Sequence, residues 1–518
     1  MRKILIFLLL CGFIFNTCCF TYAAETRDPG FYPGKCRFRV SKPVRPFVTC
    51  GNQVVLEDRD NPASRKISIH VLKLGDGNAT DSPIVFFNGG PGDSTKHITR
   101  FFGDAWYLGY YGLDSDFILF DQRGVGASKP ALACSKIETI NQCINRLSKK
   151  ADLTKYYSYT SADDVSELID SLGYPDAIIY GISYGTRLAL DFARKHPTQA
   201  NGIVIDSVWT PQADIELETI FGFDDAVTKI FTQCAAHTQC NIEYPNLDQA
   251  FTDIYNRANL KKIKLGKRKF NGNQLVALIF SIMYSPGDIA IFPLLIKYLN
   301  AKYVPNNVFG LSTQIDRDKI LASVENNSEL LKKIETYSAD IDTNLIKFSN
   351  SLNKRAVPGF SDGQYYSVYC SEGYERADTA VINTAISGVR PELQRFLKDS
   401  FDSLANICIK WPHSVLTEDK FDPVAYDGPA VISTGEFDHV TPPSQITEAG
   451  MTFTDDTDVI VGGASHSSSS QVSCAFDFTR EFIKDRSTPP DTSCAATNVI
   501  DWICVSDVTG EGISCNDE

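Results

Sequence analysis

The residues best placed to do chemistry are Gly181-Ile182-Ser183-Tyr184-Gly185, where the apolar run Ala177-Ile178-Ile179-Tyr180 breaks and then continues through Leu188, Ala189 and Phe192 at helical spacing. This pattern predicts a strand, a tight turn and a helix. In a Gly-x-Ser-x-Gly turn the serine takes a strained backbone conformation, and the two glycines lack the Cβ atoms that would collide as strand and helix close on each other. The hydroxyl then stands at a helix N-terminus, where the backbone dipole favours developing negative charge. An inert glycine-rich turn could have the same five residues, so the reading depends on context elsewhere in the chain.

A serine hydroxyl is a weak nucleophile at neutral pH and needs a base within hydrogen-bond reach, with a third group to orient that base. Behind a serine turn of this kind the acid comes next in the chain and the base last. Of the seven histidines, His70 and His97 precede the serine, His196 lies on its own helix, and His237 and His413 fall in or beside a long helical stretch. His466, in the loop Gly462-Gly463-Ala464-Ser465-His466, has the order and placement of a base. The acid belongs in Glu436-Phe437-Asp438-His439, where Asp438 is the first choice and Glu436 the alternative. His439 beside it would need a different acid to act as a base. A tetrahedral oxyanion needs two converging N–H donors, which Tyr184 offers on one side and Gly89 or Gly90 on the other, in Asn88-Gly89-Gly90-Pro91-Gly92.

The elements that must position these groups alternate. The segments 53–56 and 66–72 read as an antiparallel pair of strands. Residues 83–87 and 116–120 are apolar runs that end in Gly-rich loops, and residues 161–172 carry Val165, Leu168, Ile169 and Leu172 at helical spacing, with Ser161 as the expected cap. Asp121 and Arg123 read as a structural salt bridge of their turn. After a further strand at 202–206 the pattern becomes helical and charged, over 220–231, 247–258, 273–283, 289–299, 318–346 and 391–404. Strands resume at 429–433 and 457–461. The fold class is therefore α/β, with a mostly parallel, doubly wound sheet covered on both faces and a large helical lid inserted between its two halves. The expected division is a core over 25–210, the lid over 211–415 and the rest of the core, with a disulfide-rich tail, over 416–518.

Length and composition limit the function. A chain of 518 residues with a hydrophobic fraction of 43% can bury a large core, and a net charge of −13 argues against nucleic acid as a partner. Met1-Arg2-Lys3, the apolar residues 4–15 and Ala23-Ala24 before Glu25 predict a cleaved signal peptide over 1–24, which leaves a secreted or periplasmic chain without stable membrane insertion. A retained anchor is the alternative, because Cys18-Cys19 lengthens the apolar stretch towards the ~20 residues a spanning helix needs. Removing Cys11, Cys18 and Cys19 from the 15 cysteines leaves an even number, as an oxidising compartment favours. Short loops favour Cys36 with Cys50, Cys134 with Cys143, Cys234 with Cys240 and Cys504 with Cys515, and Cys370 with Cys408 and Cys474 with Cys494 complete the set; other connectivities stay open. Zinc is disfavoured, since no Cys-x-x-Cys pair is present. No metal or organic cofactor is called for.

Taken together, Asn88-Gly89-Gly90-Pro91-Gly92, Asp121-Gln122-Arg123-Gly124-Val125-Gly126-Ala127-Ser128, Gly181-Ile182-Ser183-Tyr184-Gly185-Thr186-Arg187 and Asp438-His439-Val440-Thr441-Pro442-Pro443 resemble the α/β-hydrolase peptidases of the proline iminopeptidase and tripeptidyl aminopeptidase group, most closely the secreted tripeptidyl branch. The resemblance implies an exopeptidase acting on peptides with a free N-terminus, with Ser183 as nucleophile, Asp438 as acid, His466 as base and Thr441 supporting the acid loop. It departs at Asn88, where proline iminopeptidases usually have His, and at Ala464-Ser465-His466-Ser467, where Gly-His-Gly is common. An aminopeptidase must hold the substrate ammonium, and Glu372, just after Cys370, is the expected lid carboxylate for that purpose. A surface glutamate is the plain alternative. The rival functions are a secreted carboxylesterase or lipase on the same fold and a non-catalytic binding protein.

Overall fold

A computed structural model of the chain describes residues 25–37, 42, 45–75, 78–96, 114–135, 137–265, 268–304, 320–322, 360–505, 507 and 515. The signal-peptide expectation over 1–24 and most of the helix expected over 318–346 lie outside them.

The four apolar runs that read as buried strands are β4 (Ile84–Phe87), β5 (Phe117–Asp121), β6 (Ala177–Ile182) and β7 (Ala200–Asp206). They sit inside a nine-stranded sheet with β1 (Gly30–Gly34), β2 (Val48–Leu56), β3 (Lys66–Leu74), β10 (Tyr426–Gly435) and β11 (Phe453–Val461), in the order β1-β2-β3-β5-β4-β6-β7-β10-β11. β1, β2, β3 and β5 pair antiparallel, and every pairing from β5 to β11 is parallel. A second sheet is the short hairpin β8 (Ile263–Leu265) and β9 (Arg268–Phe270).

Parallel strands need covering on both faces, which is why these runs are apolar throughout rather than alternating. Val85, Phe87 and Ile179 pack against Val165, Leu168, Leu188 and Phe192 of the helices Ser158–Leu172 and Tyr184–Lys195. On the other face Phe86, Ile178 and Tyr180 meet Phe478, Phe482 and Ile483 of the helix Ser473–Lys484. Each such side chain contributes roughly 1.5–3 kcal/mol on burial. The register then sets the site: Phe87 stands beside Gly181, Ile182 beside Asp206 and Asp206 beside Ser433, so the loops leaving β4, β6, β7 and β10 cluster at one edge.

Between β7 and β10 the chain builds a helical insertion with its own core, in which Phe223, Val227 and Ile230 of the helix Ile215–Ala236 meet Phe251, Phe292 and Phe396. The C-terminal segment joins this core. Ile500 and Trp502 pack into it, Ile503 N–H donates to the Ala290 carbonyl at 3.2 Å, and the Tyr244 hydroxyl donates to the Ile503 carbonyl at 2.7 Å. All six expected disulfides form. Among the described residues, no helix is long and apolar enough to cross a membrane.

One helix start differs from expectation. The helix begins at Ser158, one turn before Ser161, whose hydroxyl donates to the Tyr157 carbonyl within the first turn. Ser158 N–H and Oγ–H donate instead to the carboxylate of Glu372, at 2.6 and 2.8 Å. A cap supplied from 214 residues away satisfies one orphan N–H as well as a local one would, and local sequence gives no sign of it.

Candidate active site

At the end of β6 the backbone of Ser183 turns to φ 56° and ψ −130°, a region that costs ~1–3 kcal/mol and persists only where its surroundings enforce it. They do so from both sides. Ser183 N–H donates to the Asp206 carbonyl at 2.9 Å, and Thr186 N–H and Oγ1–H donate back to the Ser183 carbonyl at 2.8 and 2.6 Å. A Cβ on Gly185 would stand 2.0 Å from the Phe87 carbonyl oxygen, and one on Gly181 would stand 2.5 Å from the Gly185 oxygen, so both glycines are sterically required. Ile182 and Tyr184 are buried while Ser183 is only partly so, which leaves it open to the cavity above.

Asp438 follows β10, and both of its oxygens lie near His466 Nδ1, at 3.0 and 2.9 Å. Val440 and Thr441 N–H donate to Oδ1 at 3.0 and 2.9 Å, and the Thr441 hydroxyl donates to Oδ2 at 2.9 Å. Burial pushes Asp438 up, yet the His466 ring and these donors win and hold it at about 2. Burial conversely lowers His466, and the charges of Asp438 and then Asp206 outweigh it, so its pKa is raised. An ionised acid thus holds the imidazole and favours its protonated form, as a general base requires. The alternatives fall away on geometry. Glu436 accepts from Gln233 Nε2 and Gly463 N–H at 2.5 and 2.9 Å, and buried His439 packs among Phe223, Phe280 and Tyr284 with its pKa lowered to about 3, first by burial.

The loop after β4 lies against the serine turn: a Cβ on Gly89 would stand 3.0 Å from Ser183 Cβ. Gly90 adopts φ +115°, open to glycine alone, and Gln122 Nε2–H holds the loop through the Asn88 carbonyl at 3.0 Å. Tyr184 opens its helix, so its N–H has no intrahelical acceptor. Asp121 and Arg123 are structural but do not pair with each other, contrary to expectation. Asp121 accepts from Thr95 and Ala127 N–H at 2.6 and 2.7 Å, whereas Arg123 reaches across the fold to both oxygens of Asp164, each at 2.7 Å.

A cavity of about 220 Å³ opens over Ser183, bordered by Gly90 and Thr441 from the sheet side and by Phe280, Tyr284 and Phe396 from the insertion. Glu372 is not in its wall. That side chain is 1% exposed, caps Ser158 and lies 3.5 Å from Arg187, and burial, partly offset by Arg187, raises its pKa; it is a structural acid rather than an ammonium ligand. The carboxylate that does line the cavity is Glu216, in the first turn of the helix Ile215–Ala236. Burial and then the neighbouring Asp214 push it to about 8, and no arginine or lysine pairs with it among the described residues. Its charge, after burial, also raises Tyr365 in the same wall. An acid in a first turn is ordinary helix chemistry, so nothing in the sequence sets Glu216 apart.

The family comparison agrees with this architecture. Residues 82–256 match the family described as alpha/beta hydrolase fold. The chain is 30% identical over 143 residues to a proline iminopeptidase of Arabidopsis thaliana, which covers 27% of this chain and 30% of that protein. It is 24% identical over 228 residues to the serine protease Hip1 of Mycobacterium tuberculosis, covering 37% and 42% respectively. The chain thus spans less than half the length of these curated relatives. A solved α/β hydrolase, MGS-M2 from a Medee basin deep-sea metagenome library, is 16% identical with a TM-score of 0.36, over 82% of this chain and 96% of that one. The chain carries the α/β-hydrolase fold, and peptidases are among its relatives.

Proposed function

We propose that this protein is a secreted serine aminopeptidase that releases one or a few residues from the free N-terminus of peptides. The observation that carries the proposal is Glu216, an acid with no cationic partner among the described residues in an otherwise largely apolar cavity over Ser183. A half-buried acid that lines an apolar cavity without a cationic partner is poorly compensated, and a substrate ammonium is the group that would satisfy it. Ser183 Oγ attacks the scissile carbonyl while His466 takes its proton; Asp438 orients the imidazole, and Tyr184 N–H with Gly90 or Gly89 N–H receives the oxyanion. His466 then protonates the leaving amine, and water releases the acyl group by the reverse steps. The six disulfides support export to an oxidising compartment, and residues 1–24 supply the signal.

A carboxylesterase is the second reading, favoured by the apolar walls that Phe280, Phe396 and Leu397 contribute. The test compares an unblocked tripeptide anilide, its N-acetylated twin and a short-chain nitrophenyl ester, with the Ser183→Ala protein as control. Cleavage of the free-amine peptide alone, lost in the control, is the expected result. Cleavage of the ester alone would move the function to the second reading.

A further inference from the structure

Four non-glycine residues among those described have positive φ: Ser183 at 56°, Ser207 at 63°, Asn246 at 53° and Ser467 at 69°. Each such residue costs about 1–2 kcal/mol relative to ordinary backbone. Three of the four are serines at one edge of the sheet, and a single corner, Asp206-Ser207 at the end of β7, binds all three together. The Asp206 carbonyl accepts from Ser183 N–H at 2.9 Å. Ser207 Oγ accepts from Ser467 N–H at 2.7 Å, and Ser207 N–H donates to the Ser433 carbonyl on β10 at 2.8 Å. The Asp206 carboxylate, 0% exposed, accepts from Ser468 N–H and Oγ–H at 3.2 and 2.8 Å and from Ser469 N–H and Oγ–H at 2.8 and 2.5 Å. The chain immediately after His466 is therefore pinned to the strand that also holds the serine turn.

We infer that Asp206 and Ser207 are positioning residues that set His466 against Ser183 and bring a second buried carboxylate close enough to act on the imidazole. The inference rests on Ser183 and His466 being nucleophile and base. The donors of Ser468 and Ser469, with the Ser207 hydroxyl at 3.5 Å, occupy the lone pairs of Asp206, which favours its ionised form although burial raises its pKa. The groups facing His466 are Asp438 from the loop after β10, His439 beside it, Asp206 from β7 and the Tyr284 ring from the insertion, 5.4 Å away. Asp206 differs from Asp438 in acting without touching the ring nitrogen that Asp438 holds. It contributes field and loop geometry.

Asp206→Asn keeps the shape but offers one acceptor oxygen to the donors of Ser468 and Ser469 and removes the charge. Misplacing a reacting group by about 1 Å costs on the order of 10²-fold in rate, so kcat is expected to fall by that order with KM within about twofold. Labelling of Ser183 by a fluorophosphonate should slow in parallel, and the acidic limb of kcat/KM should move to lower pH because His466 loses a stabilising charge. The double variant Ser468→Ala, Ser469→Ala keeps the charge and loses two anchors, so kcat should fall while that limb stays in place. Circular dichroism and thermal unfolding report whether each variant is folded. A folded Asp206→Asn protein with unchanged kcat and an unmoved limb would overturn the inference; if that variant does not fold, unchanged kcat in the double serine variant would do the same. Absence of serine labelling in the wild-type protein would remove the nucleophile reading itself, and this inference with it.

Discussion

Replacing Glu216 by Gln isolates the ammonium contact from the rest of the site. With its pKa at about 8, Glu216 is mostly protonated at pH 7 before substrate arrives, and ionising it there costs about 1.4 kcal/mol, one pKa unit. Breaking a buried charge pair by removing one partner costs roughly 3–5 kcal/mol. The difference, about 2–4 kcal/mol, corresponds to a loss of about 30- to 1,000-fold in kcat/KM for the free-amine anilide at pH 7, since every ~1.4 kcal/mol is tenfold. The acetylated twin and the nitrophenyl ester carry no ammonium, so any turnover they support should change by less than about threefold, the scale of a neutral hydrogen bond of ~0.5 kcal/mol. A second signature follows from the same pKa. Between pH 7 and 8 the wild-type protein becomes more fully ionised at Glu216 and should bind amine substrates more tightly, whereas the Gln variant should show no such gain. Stopped assays across pH 6–9 with all three substrates measure both. Equal losses on amine and acetylated substrates, or an amine substrate left within about threefold of wild type, would refute the ammonium assignment.

Two further outcomes test the surrounding electrostatics. Glu372→Ala should destabilise the fold by about 1–3 kcal/mol, because it leaves the buried N–H and hydroxyl of Ser158 without their acceptor, while Glu372→Gln should cost less, since it keeps an acceptor oxygen and burial already favours the neutral acid; chemical denaturation compares them, and equal costs would count against this account. Asp438 sits at about 2 in the fold against ~3.9 unfolded, so its contribution is complete above pH ~4 and is lost as pH falls towards 2, roughly 2–3 kcal/mol in all; stability measured from pH 5 to pH 2 should fall by that much more in wild type than in Asp438→Asn.

Local chemistry was legible at Ser183. Gly181 and Gly185 announce a turn that no Cβ can enter, and the structure shows the two contacts of 2.5 and 2.0 Å that forbid one. The apolar strand runs and their Gly-rich ends were legible for the same reason, since strand burial and sharp turns constrain residue type over a few neighbouring positions. Cysteine spacing announced the short disulfide loops. The strand Gly30–Gly34 carries no such signal, because five residues rich in Gly and Pro show no alternation and only edge pairing with β2 makes a strand of them.

What the chain order by itself determined was the alternation of strands and helices that makes the sheet mostly parallel, and the identities of serine, acid and base candidates, because each lies at the end of its own strand and carries its signal within a few residues. Tertiary structure alone decided the rest. Glu372 and Glu216 are both glutamates beside helix ends, and only the packing of distant segments buries the first against Ser158 and Arg187 and turns the second into the cavity. Asp206, an ordinary strand-end acid in the sequence, becomes the anchor of the His466 loop through donors more than 260 positions away. A side chain's role in such places is set by the groups that meet it in space, and those meetings depend on how nine strands and an inserted helical layer come together rather than on any residue's neighbours in the chain.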